Sequence, residues 1–461
     1  MANPYLPKWE YIPDGEPRVF GDRVYIYGSH DKAGNGEFCD CVLKCWSAPV
    51  TNPNEWVCHG DIFRVGKTRD HESDTDYTRE DSKLFAPDVI EKDGKYYLYA
   101  YIEGQAGCVA VSDKPEGPFK FVSKMKCNTK GAFNDGIFID PAVFVDDDGR
   151  AYIYCGFLKS ELAELKADNM YEVIDGTIIE DFIPPKGTLR PEDGFDEDDK
   201  TFFEACSMRK VGDTYYMVYS PTDCPKLAYA TSDSPTGPFK FRGYIIDSGV
   251  DYPGGNDHGS IMNVNGQWYI FYHRMTNGTI MSRRGCVEKI EILPDGTIPM
   301  VETTCCGFED ALNPYQITDA DLACVLTGGA FITERNVFSR FIRNITTETV
   351  IGYRYFDFGE DFGSKTMEFA AKIRGLGTDC RMNIYIDGVD DADRLETVKT
   401  VGKKIGTITI GHDDEVITTV VDAVTGRHAV YFTFETDYSG WMADYFKGRA
   451  LFELESFVFM K

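Results

Sequence analysis

A single hairpin pattern recurs five times in the first 275 residues, and no other property of the chain limits its fold as strongly. The copies open at Asp14, Ala86, Asp140, Glu204 and His258. Each opening leads into an apolar stretch and then a turn residue (Asp22, Gly94, Gly149, Gly212, Gly266). Three residues later comes a tyrosine: Tyr25, Tyr97, Tyr152, Tyr215 and Tyr269. Opening to turn is eight residues in four copies and nine in the third, where Asp146, Asp147 and Asp148 add one. The runs around the tyrosines are aromatic and β-branched, bounded by Gly and Asp turns, which predicts strands. A repeat of 54 to 72 residues predicts a propeller or an array rather than an ordinary α/β fold.

A second repeat supports the first. Ser112–Phe121 and Ser232–Phe241 agree at eight of ten positions with an offset of 120 residues, or two hairpin units. Each follows a strand-like run, so it is predicted as the turn before an outer strand. Five blades of four strands then account for residues 1 to about 300. Beyond an irregular stretch the texture changes. Short alternating runs at 353–358, 366–371, 382–386, 407–410, 416–421, 429–434 and 451–459 predict a β-sandwich. The chain thus reads as all-β: a five-bladed β-propeller over 1–305, then a linker and β-sandwich over 306–461.

Bulk composition agrees with this reading and excludes several classes. At 461 residues the chain exceeds what one core fills, and 43% hydrophobic residues make it globular. Seventy-five acidic against 48 basic residues leave a net charge of −27, which repels nucleic acid and anionic lipid. No apolar run approaches the roughly 18 residues of a membrane helix. The first seven residues lack a basic region followed by an apolar one, which predicts a cytoplasmic address. The 14 cysteines read as reduced thiols; Cys39, Cys41 and Cys45 lack a fourth ligand at zinc spacing.

Equivalent positions of a repeated hairpin converge on one axis. The openings therefore gather Asp14, Asp140 and Glu204 around one pocket, with His258 in the fifth copy. Side chains two apart share a strand face, so Glu16 and Asp88 also turn inward. Clustered carboxyls repel, and burial pushes their pKa values apart, which separates an acid from a base. Glycoside hydrolysis requires that pairing. The Asp146–Asp148 run belongs to a turn and carries no chemistry. His258 reads equally as a hydrogen-bonded channel histidine or a metal ligand. Either one of Arg283 and Arg284 reaches the pocket to hold a carboxylate or a sugar hydroxyl, or both are surface charges. Phe85 forms an apolar wall or packs in the core.

The stretches Asn3–Pro7, Phe85–Val89, Ile139–Phe144, Phe203–Ala205 and His258–Ser260 resemble glycoside hydrolase family 43. That resemblance implies a five-bladed propeller and inverting α-L-arabinofuranosidase or β-xylosidase activity on an oligosaccharide. It implies Glu204 as general acid, Asp140 as the residue tuning it, and Asp14 as general base. It also implies a sugar-contacting Arg283 and a water-coordinated calcium at His258. The family's base precedes a proline, which here would select Glu16; the eight-residue spacing to the turn selects Asp14. The C-terminal part resembles a family 6 type carbohydrate-binding module. A non-hydrolytic carbohydrate-binding protein is the alternative from another class.

Overall fold

The computed structural model describes residues 2–66, 73–75, 81–129, 131, 133, 138–223 and 225–461. Five small antiparallel sheets come first, each a meander in chain order. Sheet one holds β1 (Glu16–Phe20), β2 (Arg23–Tyr27), β3 (Val42–Pro49) and β4 (Val57–Arg64). Sheet two holds β5 (Leu84–Lys92), β6 (Lys95–Ile102), β7 (Cys108–Ser112) and β8 (Lys120–Lys124). Sheet three holds β9 (Ala142–Val145), β10 (Ala151–Cys155), β11 (Glu161–Leu165) and β12 (Ile179–Glu180). Sheet four holds β13 (Phe202–Val211), β14 (Thr214–Pro221), β15 (Lys226–Ser232) and β16 (Lys240–Asp247). Sheet five holds β17 (Ser260–Val264), β18 (Gln267–Thr276) and β19 (Thr279–Ile290).

The repeated hairpin is the first strand pair of every sheet. Glu16 faces Tyr27, Ala142 faces Tyr154 and Ser260 faces Phe271. In the fifth, Asn265 and Gly266 both lie in the left-handed region (φ 51° and 89°), the backbone a two-residue hairpin loop demands. Both Ser-Asp-x-Pro repeats fall just before an outer strand, β8 and β16, as the sequence predicts. The fifth sheet differs from the four strands expected: it has three among the described residues. The N-terminal stretch covers the free edge of β19 instead. The Asn3 side chain bonds both backbone groups of Val287, and the Tyr5 amide donates to the Gly285 carbonyl. An otherwise open sheet edge is thereby satisfied.

First strands neighbour one another in series: β1 lies beside β5, β5 beside β9, β9 beside β13, β13 beside β17, and β17 returns to β1. Apolar side chains between successive sheets form separate small cores, such as Leu43, Val89 and Leu98 between sheets one and two.

The C-terminal part contains two sheets. One orders β22 (Phe331–Asn336), β23 (Ser339–Arg343), β30 (Phe452–Met460), β25 (Thr366–Gly375) and β28 (Glu415–Asp422), with β20 (Thr318–Asp319) also pairing β30. The other orders β21 (Val325–Leu326), β24 (Val350–Asp357), β29 (Arg427–Glu435), β26 (Cys380–Ile386) and β27 (Lys403–Ile410). All seven predicted strands of this part are present. Phe369, Phe432 and Phe457 pack together in one continuous core. A six-residue helix, α1 (Trp441–Phe446), is the one α-helix described in this part, where the sequence called for none. Buried polar contacts join the two parts: Arg284 pairs with Asp321 at 3.1 Å, and Arg340 donates to the Tyr11 hydroxyl at 2.8 Å. No described helix is long and apolar enough to cross a membrane. All described cysteines are free.

Candidate active site

The chain approaches the site through strained backbone. Asp14, Ala86 and Asp140 sit at φ 54°, 25° and 52°, and Ala205, next to Glu204, sits at 67°. Non-glycine residues in this region are costly and collect where a site must be shaped. Asp14 and Asp140 stand two residues ahead of β1 and β9, while Ala86 and Glu204 lie at register breaks in β5 and β13. The ladder lets go of the backbone at these points, and the side chains turn into a cavity of about 470 Å³. Asp14, Asp140, Glu204, His258 and Arg283 line it, together with an apolar wall that includes Phe38, Phe85, Phe157 and Phe203.

Each carboxyl has a different environment. Asp14 accepts from Arg283 Nη1 at 2.8 Å through one oxygen and from the Ser29 hydroxyl at 2.6 Å through the other. Burial works to raise its pKa, but the Arg283 charge and the Ser29 bond prevail and hold it below the usual carboxylate range. Among the described residues Glu204 has one weak donor, the Asn256 amide at 3.4 Å. Burial, and then the negative charge of Asp14, push its pKa up to about 7. Asp140 accepts the Ala205 amide at 3.1 Å and stands 3.6 Å from His258 Nδ1. Burial first, then the charges of Glu204 and Asp14, raise it well above the ordinary value. One carboxyl held toward its ionised form thus shares a cavity with two that keep their protons to higher pH than usual.

Arg283 is fixed before it reaches Asp14. Asp31 grips its Nε at 2.9 Å, its Nη2 at 3.1 Å and its backbone amide at 3.0 Å. Phe38 stacks beneath the guanidinium, 4.9 Å from the ring centre. Arg284 turns the other way, to Asp321, so Arg283 is the arginine of the pocket.

Glu16 and Asp88 do point inward, yet they do not line the cavity. Below it, Asp88 accepts Arg18 through both oxygens at 3.0 and 2.6 Å, and the amides of Val89 and Val143 at 2.6 and 2.7 Å. Glu16 accepts Arg209 at 2.5 Å and Ser207 at 3.1 Å. All four charged side chains are buried. Phe85, by contrast, is in the wall. Asp146 is the turn residue expected, held by Lys210 and Tyr215.

His258 is buried, and burial lowers its pKa, so the imidazole is neutral. Among the described residues no group of three or more His, Cys, Asp or Glu gathers where a metal ion would sit. Calcium takes six to eight oxygen ligands. His258 offers one nitrogen, so a calcium ion touching it would have to draw its other ligands from water.

Ser29, Asp31, Asn256 and His273 were not singled out from the sequence. The first two lie on the loop after β2, outside the hairpin repeat. Asn256 precedes the fifth opening by two residues, within the polar run Asn256–His258, and that run is the one signal that points to it. His273 carries the signal of a histidine directly after the aromatic and apolar run Trp268–Tyr272 of β18.

A carboxyl that holds its proton beside one held ionised, in an aromatic-walled cavity, is the pairing that glycoside hydrolysis requires. Residues 43–298 match the sequence model of Glycosyl hydrolases family 43, and the chain belongs to that family. It is 37% identical to a xylosidase/arabinosidase of Thermoclostridium stercorarium, over 94% of this chain and 95% of the relative. Among solved structures it is similar to a family 43 β-xylosidase/α-arabinofuranosidase from a compost microbial metagenome, in complex with xylotriose. The TM-score is 0.52 at 28% identity, over 65% of this chain and 97% of the other. Its fold also resembles a family 43 arabinoxylan arabinofuranohydrolase from Bacillus subtilis. That likeness has a TM-score of 0.54 at 23% identity and covers 100% of this chain and 97% of the other.

Proposed function

We propose that the protein is an inverting exo-glycosidase that releases terminal α-L-arabinofuranosyl units from arabinoxylo- or arabino-oligosaccharides. The observation that carries this reading is the contrast within one cavity between Asp14, held by Arg283 and Ser29, and Glu204, buried with only the long Asn256 contact. Glu204, protonated to near neutrality, gives its proton to the leaving glycosidic oxygen. Asp14, ionised, takes a proton from the water that attacks the anomeric carbon from the other side, and the configuration inverts. Asp140 accepts the amide of Ala205 and so holds the backbone next to the acid, while burial and the charge of Asp14 sustain the high pKa of Glu204. Arg283, clamped by Asp31, orients Asp14 and presents its remaining edge to the sugar. The buried ion pairs beneath the cavity close its floor, which suits removal of one terminal sugar rather than cleavage along a chain.

The β-xylosidase reading stands second, favoured by the Thermoclostridium stercorarium relative, whose name carries both activities. Terminal xylose and arabinofuranose are both pentosyl groups of similar bulk. We read 1–305 as a five-bladed propeller, on the serial contacts of the five first strands, and 306–461 as a linker and a sandwich of the carbohydrate-binding-module type. We assign calcium, where it binds, to His258 with water as its other ligands; it takes no part in the proton transfers above. The test is hydrolysis of nitrophenyl arabinofuranoside, nitrophenyl xyloside and arabinoxylo-oligosaccharides, with the product anomer followed by NMR. Faster turnover of the arabinosyl substrates and an inverted first-formed anomer are expected. A retained anomer overturns the mechanism, and preference for the xyloside exchanges the two substrate readings.

A further inference from the structure

His273, on β18, is completely buried and touches both halves of the proposed acid–base machinery. Its Nε2 lies 2.9 Å from the backbone carbonyl of Asn256, and its Nδ1 lies 3.3 Å from the backbone nitrogen of Asp14. A carbonyl oxygen only accepts, so Nε2 carries the proton. Nδ1 is then a lone pair, and it receives the Asp14 N–H. The two bonds are mutually consistent in only one tautomer of the neutral ring.

Both contacts sit where the backbone needs support. Asp14 has left the β1 ladder in a left-handed conformation, and its amide would otherwise be a buried donor without an acceptor. Asn256 carries the amide that donates to Glu204. Groups facing the ring from the neighbouring elements are Asp14, His258, Arg283 and Asp257; the last accepts the His273 backbone amide at 3.2 Å. Burial first, and then the Arg283 charge, depress the ring's pKa to about 3, in accord with a neutral imidazole.

We propose that His273 is a positioning residue that ties the Asp14 backbone to the Asn256 loop through its two ring nitrogens, and so sets base and acid in register. This rests on the reading of Asp14 as base and Glu204 as acid. Two amide substitutions separate the two ties. Asn places an acceptor near the Nδ1 position and leaves Nε2 empty. Gln places a donor near the Nε2 position and leaves Nδ1 empty.

In His273→Asn the Asn256 loop loosens and Glu204 loses its donor. That bond favours the ionised acid, so the alkaline limb of kcat/KM moves to higher pH while the acidic limb stays. In His273→Gln the Asp14 amide loses its acceptor and the contact with Arg283 slackens, so the acidic limb moves to higher pH while the alkaline limb stays. Each variant is expected to lose roughly 10-fold in kcat with KM little changed, and His273→Phe about 100-fold with both limbs moved. Two amide variants with identical, unmoved limbs and only a lowered Tm overturn the proposal. A readout independent of activity uses the unaltered protein labelled with 15N-histidine. The expected spectrum shows protonated Nε2 and bare Nδ1, unchanged from about pH 5 to 8. Protonated Nδ1, or titration in that range, overturns the tie. Failure of the acid–base reading shows separately, as full activity in Glu204→Gln or Asp14→Asn with the histidine spectrum as expected.

Discussion

Asp14, just ahead of β1, and Glu16, the first residue of β1, are two residues apart, yet they live in opposite electrostatic worlds. In the cavity, three carboxyls share one guanidinium, and Arg283 is already largely engaged by Asp31. Immediately below, two carboxylates meet two guanidiniums, Arg18 and Arg209. The lower layer is balanced, and its hydrogen bonds go to fixed charges. The upper layer is short of cations, so its acids repel one another and separate in pKa. Balance produces structure and imbalance produces chemistry, from residues of the same type in the same repeat.

The largest effects are expected where that imbalance is removed. Glu204→Gln should lower kcat on an unactivated oligosaccharide roughly 1,000-fold or more, and much less on a nitrophenyl glycoside, whose leaving group needs no proton. Asp14→Asn should fall by a similar factor on both substrates, because water must be activated in either case. Steady-state rates on the two substrates check both. The converse is expected below. Glu16→Gln leaves Arg209 buried without its carboxylate, and Asp88→Asn does the same to Arg18. Each should cost about 3–5 kcal/mol of stability, measured by denaturant unfolding, while kcat changes less than about tenfold. An inactive but fully stable Glu16→Gln beside an active Asp14→Asn would reverse the assignment of the base. A milder change should sharpen the contrast further. The double substitution Arg18→Met with Asp88→Leu removes both charges and should recover only part of the stability lost in Asp88→Asn, since it avoids the desolvation of two ions but takes the Asp88 acceptor from the Val89 and Val143 amides.

The same contrast shows how far the residues alone could speak. Hairpin spacing was legible because a turn and a tyrosine at fixed distance mark the register, and register decides which side chains converge. Asp14, Asp140 and Glu204 were reachable in that way, whereas the choice of Arg283 over Arg284 came from the family resemblance and Phe85 stood open between wall and core. Glu16 and Asp88 were placed on the correct face but at the wrong depth. Their true neighbours come from other sheets: Arg18 of β1 reaches Asp88 of β5, and Arg209 of β13 reaches Glu16 of β1. Pairing between sheets has no period in the sequence. Asp31 and Ser29 lie on the 28–41 loop, which is much longer than the connections between second and third strands in the other sheets, so no ruler could reach them. The three-stranded fifth sheet was hidden for a similar reason: its edge is covered by residues 3–5, some 280 positions away in the chain.

The smallest expected effect concerns pH, and it tests the comparison without removing any charge from the lower layer. Activity needs Asp14 ionised and Glu204 protonated. The acidic limb of kcat/KM should therefore fall below the usual carboxylate range of about 4. The alkaline limb should lie near the Glu204 value of about 7. Stability follows with a definite sign. In the unfolded chain Glu204 ionises near the ordinary glutamate value of about 4.3, while the folded protein holds the proton up to about 7. Its contribution to stability is complete below the unfolded value and is lost as pH rises through the folded one. Glu204→Gln, which cannot ionise, should lack that loss. The difference in Tm between variant and parent should thus widen in the variant's favour from about pH 4.5 to 7.5. Thermal unfolding across that range measures it. A parallel pair of curves would mean that Glu204 ionises as freely in the cavity as in water, and the upper layer would then be as well balanced as the lower.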